Sequence, residues 1–367
     1  MQLKTRPIIF ILIGIIAITT ATFFSISYFR YTSTSAVLNY IRTHADNVAV
    51  LCARPGRPNL EFTQNENERF PLAASYNLVL ISAYADQVSK GQIDPTEVIP
   101  LTDLDRFLLP GTDGGALYAL INSLGTGRTS LTMDELAQGI LVYGSNAAAD
   151  YLASRLQGLD FSPFFGRMGL TNTHLQGSYL GLFLYLNNHE TGLFAEEDLT
   201  PKELLNEQTR LANLYLTDLA WRDAERKYTG IRSNNAPLGI QKQVFSQFGM
   251  QGSASELATI VSAIYSPPGV MEFETQNILR RLLEWPNRFN PSKTTDFKTL
   301  ASAGGAWPGT FANAWYAENA GSESTVLVVL YRDMPDDFWN TWATAFSHQK
   351  FENLVLSNSD CAQFTTK

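Results

Sequence analysis

Two serines stand where a helix begins, and a serine there is a candidate nucleophile only if a base lies within reach. Ser75 sits in FPLAASYNLV, from Phe70 to Val79, and is followed by Tyr76, Asn77 and Leu78. No lysine or histidine is among them, and Asn77 has no titratable proton. On a helix Ser75 is also turned about 100° from its neighbour Ala74. Ser145 sits in GSNAAADYLA, where its hydroxyl is placed to cap the helix that follows, and it is read as a cap. Glu203, in KELLN, is read as a solvated helix face. The four histidines, His44, His174, His189 and His348, are scattered without metal-ligand spacing, and each reads as a surface or capping residue. No cofactor or zinc motif is present in the sequence.

These sparse groups need a scaffold. The chain has 367 residues, 45% hydrophobic and 17% charged, enough for one large domain or two medium ones with a sizeable core. A formal net charge of −8 speaks against a nucleic-acid partner and mostly serves solubility.

The first thirty residues differ from the rest. After Lys4 and Arg6 comes PIIFILIGIIAITTATFFSISYF, Pro7 to Phe29, with no charge until Arg30. About 20 apolar residues cross a bilayer. The run exceeds the apolar core of a signal peptide, and YTSTSAV, Tyr31 to Val37, offers no clear Ala-x-Ala cleavage site. The expectation is an uncleaved transmembrane anchor over residues 1–30, with a cytoplasmic tip and the body outside, periplasmic or at the cell surface. A cleaved signal peptide and a buried N-terminal helix are the competing readings. The two cysteines, Cys52 and Cys361, are open to two readings, a disulfide formed after export or two separate buried thiols.

Along the body, Ala36–Ile41 reads as a short helix, Val48–Cys52 as a strand stopped by Pro55-Gly56, and Asn59–Gln64 as its hairpin partner. A helix is expected from about Ala73 to Ser89, closed by Lys90-Gly91. Capping boxes at Thr132–Glu135 and Ser253–Glu256 start helices to about Tyr143 and Ile264, with another from Ala147 to Leu156. Residues 175–230 are mostly helical in pattern; within them Tyr179 to Tyr185, like Phe164-Phe165, reads as core. Thr310–Tyr316 and the β-branched run Ser324–Tyr331 read as strands, the second suited to a sheet centre. One last helix, about Asp336 to Leu354, is expected to turn Phe338, Trp342, Phe346 and Leu354 to one face. This order predicts an α+β fold: an antiparallel sheet made from both chain ends, packed with helices, and a helical subdomain over about 70–250 within a domain of residues 31–367.

Four stretches carry a family likeness: FPLAASYNLVLISAYADQVSKGQID, LPGTDGGALYALI, LTMDELAQGILVYGSNAAADYLA and AGGAWPGTFANAWYAENAG. In this order they resemble the serine β-lactamase and penicillin-binding transpeptidase superfamily, its class A-like branch, over about residues 36–356. That family works through S-x-x-K, S-D-N and K-T-G motifs. The resemblance puts the nucleophile slot at Ala74 and the lysine slot at Asn77. It puts the second motif at Gly144, Ser145 and Asn146, and the third at Ala303, Gly304 and Gly305. The loop Leu109–Gly115 resembles one beside the active-site mouth, with Leu117 where a histidine is expected. The branch's deacylating glutamate, four residues before an Asn, has no secure counterpart; Lys202 stands at that distance from Asn206.

The resemblance therefore implies the frame of a catalytic helix with its chemistry removed. A methyl group cannot attack a carbonyl, although backbone N–H groups near Ala74 and Ala306 could still hold one. The expectation is a catalytically inactive, membrane-anchored envelope protein with no cofactor, binding or scaffolding an envelope protein or a peptidoglycan stem peptide. The alternative is a serine-type hydrolase acting on β-lactams or peptidoglycan peptides through a non-standard nucleophile. A third reading is a purely structural domain with a filled cleft.

Overall fold

The computed structural model describes residues 31–55, 62–171, 177–194, 200–290 and 294–365. The expected anchor, His174 and part of the expected hairpin strand lie outside the described residues. Among the described residues no helix is long and apolar enough to cross a membrane.

Both chain ends build one sheet. Strands β1 (Val48–Ala53), β2 (Phe62–Gln64), β3 (Phe297–Trp307), β4 (Thr310–Asn319) and β5 (Ser324–Tyr331) lie in the order β2-β1-β5-β4-β3. Every pairing is antiparallel; Val48 faces Tyr331 across β1/β5 and Phe311 faces Tyr331 across β4/β5. β5 is central and buried on both faces, as its unbroken apolar run requires. Pro308-Gly309 turns β3 into β4, and Gly309 takes the φ of +75° that this tight turn needs.

The inner face of the sheet is small: Ala301, Ala303, Ala312 and Ala314 are all buried there. Small side chains let helix α2 (Asn77–Ser89) lie close beneath them. That helix is buried from Asn77 to Gln87, all the way round, which marks a central rather than a surface helix. A 3₁₀ turn, Ala73–Tyr76, leads into it.

The helical middle follows from its caps. Thr132 and Glu135 exchange both capping-box bonds to start α3 (Met133–Tyr143), and Ser145 caps α4 (Asn146–Leu156). Ser178 caps α5 (Tyr179–Leu186), and a second box, Thr200 with Glu203, starts α6 (Pro201–Thr217). Helices α7 (Leu219–Thr229), α8 (Leu238–Phe248), α9 (Ala254–Tyr265) and α10 (Phe273–Leu283) complete it. At α9 the Ser253 hydroxyl accepts from Glu256 N–H as expected, but the Glu256 carboxylate reaches across to the backbone N–H and hydroxyl of Thr171.

Two expectations need correcting. The last helix is two, α11 (Asp336–Ala345) and α12 (Ser347–Asn358), broken at Phe346, whose φ is +54°. The break swings α12 so that Phe351, Val355 and Leu356 face the sheet, while Phe346 and Leu354 are exposed. His348 is a buried core residue, not a surface one: it stacks on Phe311 and burial pushes its imidazole down to about 3.

The outer face packs against α1 (Thr34–Thr43), α11 and α12. There Cys52 on β1 is bonded to Cys361, with Cα atoms 5.6 Å apart and 309 residues between them. A loop of that length gives about 5–6 kcal/mol in the chain-entropy model, an upper figure. Replacing both cysteines by alanine is expected to cost about 2–5 kcal/mol, read as a lower urea midpoint; midpoints equal to the parent's would refute this.

On the same face Glu352 is fully buried and accepts from Trp315 Nε1 at 2.9 Å and Asn313 Nδ2 at 3.0 Å. Burial pushes its carboxyl from 4.5 up to about 7. A raised folded value means that the folded chain holds this proton more tightly. The associated stability is full below about pH 4.5 and is lost as pH rises through about 7. Glu352→Gln, which keeps an oxygen for both donors, is expected to match the parent below about pH 4.5 and exceed its urea midpoint at about pH 8. Parallel pH profiles for the two proteins would contradict that.

Candidate functional site

The site is built at the turn before α2. Ala73 takes φ +45°, a left-handed conformation that costs a non-glycine residue about 1–2 kcal/mol. The strained residue is fully buried, and the turn it makes sets Ala74 against strand β3. There Gly305 has no room for a side chain. A Cβ built on it would fall on the Ala74 methyl and lie 3.3 Å from Ala74 Cα and N. So the two positions expected for the nucleophile and for the end of the third motif are in direct contact.

The other expected positions are joined to this contact by hydrogen bonds. Asn77 is buried, and its Oδ1 accepts from the Tyr179 phenol at 3.0 Å. The same phenol lies 3.4 Å from the Ala73 carbonyl. Tyr179 is held from the second motif's helix: on α4, Asp150 accepts from the N–H groups of Tyr179 and Leu180 at 2.8 and 2.6 Å. Burial pushes the Asp150 carboxyl up to about 7 against the pull of those two donors. Asn146, four residues earlier, donates to the Thr112 carbonyl at 3.2 Å, which brings the Leu109–Gly115 loop to the second motif. Asp113 Oδ1 and Oδ2 take the N–H groups of Gly115 and Leu117, and Leu117 is buried.

The third-motif positions divide between the faces of the sheet. Ala303 points to the inner core with Leu78, Val261 and Ala314. Gly304 points the other way, where a Cβ would fall on Asn313 Oδ1, the amide held by Glu352. Gly144 ends α3 with φ +72°, a left-handed cap that glycine fills without steric cost.

The hydroxyls nearby are committed. Ser75 Oγ donates to the Leu72 carbonyl at 2.7 Å and is fully buried. Ser145 Oγ accepts from Ala148 N–H at 3.3 Å. Burial raises the Tyr179 phenol well above its usual 10, so it stays neutral and acts as a donor, not a base. Trp307 and Phe245, with centroids 5.0 Å apart, pack beside it and fill the flank. The Glu203 carboxylate caps the exposed start of α6, where it accepts from Thr200 N–H. Among the described residues no group of histidines, cysteines and carboxylates could hold a metal ion. A cavity of about 340 Å³ lies between α4, α5 and α6, lined by Tyr76, Phe107, Asp150, Ser178, Leu180 and Ala212 among others; neither Ala74 nor Gly305 lines it.

The family model of the beta-lactamase enzyme family matches residues 33–267. The chain belongs to that family. Among solved structures, a β-lactamase of Sphaerobacter thermophilus is similar at 15% identity over 89% of this chain and 98% of its own, with a TM-score of 0.55. A class A β-lactamase reconstructed for the last common ancestor of Gram-negative bacteria follows at 12% identity, 89% and 98% coverage and 0.54. A β-lactamase of Francisella tularensis gives 12% identity, 88% and 100% coverage and 0.51. At such identities the likeness shows the fold alone. No curated protein matches the chain.

Tyr179 is the residue that the sequence reading assigned to the core without its site contact. The available signal was Ser178 capping an apolar run; nothing in it points to Asn77, because the contact spans 102 residues.

The Gly305–Ala74 contact makes a direct prediction. Gly305→Ala is expected to cost about 1–3 kcal/mol through overpacking, and Ala74→Gly in the same chain to recover part of it. An equal cost in both backgrounds, measured by urea unfolding, would remove the contact from the account.

Proposed function

We propose that this chain is a non-acylating member of the beta-lactamase enzyme family that binds or braces another component of the cell envelope. One observation carries the reading: the residue at the strained turn before α2 offers β3 a methyl group, Ala74, packed against Gly305. Loss of a nucleophile or its base costs on the order of 10⁶ in turnover in serine hydrolases. Here both positions lack the group. Asn77 cannot accept the proton a nucleophile must lose, and its amide oxygen is already taken by Tyr179. The strained Ala73 turn and the glycine that meets it are present although neither slot carries a reactive group, which supports a frame that stands without the reaction.

The proposed setting is outside the cytoplasm, with Pro7–Phe29 as the anchor and residues 31–367 as one domain. Lys4 and Arg6 ahead of the run, and a disulfide between Cys52 and Cys361, fit an exported body. The absence of lysine at positions 77 and 303 takes away positive charge that would hold a peptide carboxylate. A protein partner therefore suits the site better than a peptidoglycan stem peptide. Co-purification from membranes, with partners identified by mass, addresses which it is.

Purified protein incubated with a fluorescent penicillin is expected to run unlabelled on a denaturing gel beside a labelled active β-lactam acceptor. A covalent band that survives denaturation would overturn the proposal and point to a hydrolase with a non-standard nucleophile.

A further inference from the structure

A second cavity, of about 390 Å³, lies at the end of β1 on the inner face of the sheet. Ala53, Val326 and Tyr316 stand side by side there across β1, β5 and β4. The small side chain of Ala53 leaves space beside Val326 that a larger residue would fill. The end of α9 makes the other wall with Ser262, Tyr265 and Ser266. Tyr265 stacks flat on Tyr316, with ring centroids 3.7 Å apart. Ala74, Asn77, Ser145 and Gly305 do not line this space.

Arg54 is the charged residue in the lining. It is only 9% exposed, and a cation so deeply buried needs an anion beside it. Among the described residues that anion is Glu323, which reaches one Nη atom from the turn between β4 and β5. The Glu323 side chain is 36% exposed, so it stands on the solvent side of the pair. A guanidinium carries five donors in a planar fork, and contact through one nitrogen leaves others for a second carboxylate.

The carbonyl end of a helix ordinarily repels an anion. At the end of α9 those carbonyls are taken. Arg280 Nε donates to the Ile264 carbonyl at 2.9 Å, and Gln276 Nε2 to those of Ala263 and Ser266 at 2.7 and 3.1 Å. Ser266 Oγ donates to the Ser262 carbonyl at 2.6 Å. The Arg280 guanidinium also lies over the Tyr265 ring, 5.4 Å from its centroid, and adds positive charge to this wall.

We infer that this cavity binds a small aromatic carboxylate. The ligand's carboxylate takes the Arg54 guanidinium in place of Glu323, and its ring packs among Tyr265, Tyr316 and Val326. Glu323 turns out to solvent, so the exchange leaves the buried cation paired. A phosphate ester suits the space less, because one guanidinium with a carboxylate close by offers too little positive charge for a dianion.

The test titrates the full chain, in a neutral detergent, with benzoate by calorimetry, and with benzamide as the uncharged control. Benzoate is expected to bind at least about tenfold more tightly than benzamide, since only benzoate forms a charge-assisted pair. Glu323→Gln removes the competing carboxylate and is expected to tighten benzoate binding at least about threefold. Arg54→Gln is expected to abolish it; if that variant does not fold, as judged by circular dichroism, Glu323→Gln decides alone. Comparable affinities for benzoate and benzamide overturn the inference. So does a benzoate affinity in Glu323→Gln no higher than the parent's, or benzoate binding retained by folded Arg54→Gln. Absence of benzoate binding by both the parent and Glu323→Gln, or its full displacement by equimolar inorganic phosphate, overturns it as well.

Discussion

The molecule is organised around the approach of β3 to the turn before α2. Gly305 and Ala74 meet so closely that the Ala74 methyl occupies the place a side chain on the strand would need. That approach depends on small residues throughout. Ala301, Ala303, Ala312 and Ala314 floor the sheet above α2, so the helix lies near enough for its first turn to touch the strand. Larger residues at those positions would lift the sheet and open the contact. Backbone strain at Ala73 is tolerated for the same reason: the surroundings fix the turn from both sides.

Around that contact, polar groups are consumed in structure. Asp150 fastens the start of α5, the Tyr179 phenol satisfies Asn77, and Asn146 holds the loop at Thr112. Each bond joins elements far apart in the chain, and a buried polar group left without a partner costs about 1–3 kcal/mol. Among the described residues, the Ser75 hydroxyl is bonded to the Leu72 carbonyl and the Tyr179 phenol to Asn77. Stability and chemistry compete for the same atoms, and here the hydrogen bonds serve stability.

The opposite face supports the same strand. Glu352 holds the Asn313 amide, whose oxygen occupies the space a side chain at Gly304 would need. Successive glycines on β3 are therefore required by different faces: Gly304 by the Asn313 amide behind the sheet, Gly305 by the turn in front of it. The Cys52–Cys361 bond closes this outer layer and ties the first strand to the end of the chain.

Much of this was legible in the sequence. The caps at Thr132 and Ser145, the β-branched run of β5 and the largely apolar first turns of α2 are local patterns, and local propensity with hydrophobic period fixed their type. The order of elements determined an antiparallel sheet from both chain ends, and the ordered motifs pointed to the family. What needed tertiary structure was every relation across long sequence separation. No pattern near Tyr179 shows that its phenol meets Asn77, and none near Asn313 shows that it sits over Gly304. The break at Phe346 was also hidden: a left-handed phenylalanine has no sequence signature, and only packing of α12 under the sheet makes that conformation worthwhile. Residue type sets what a side chain can do, whereas the folded chain alone decides which distant atom is near enough to receive it.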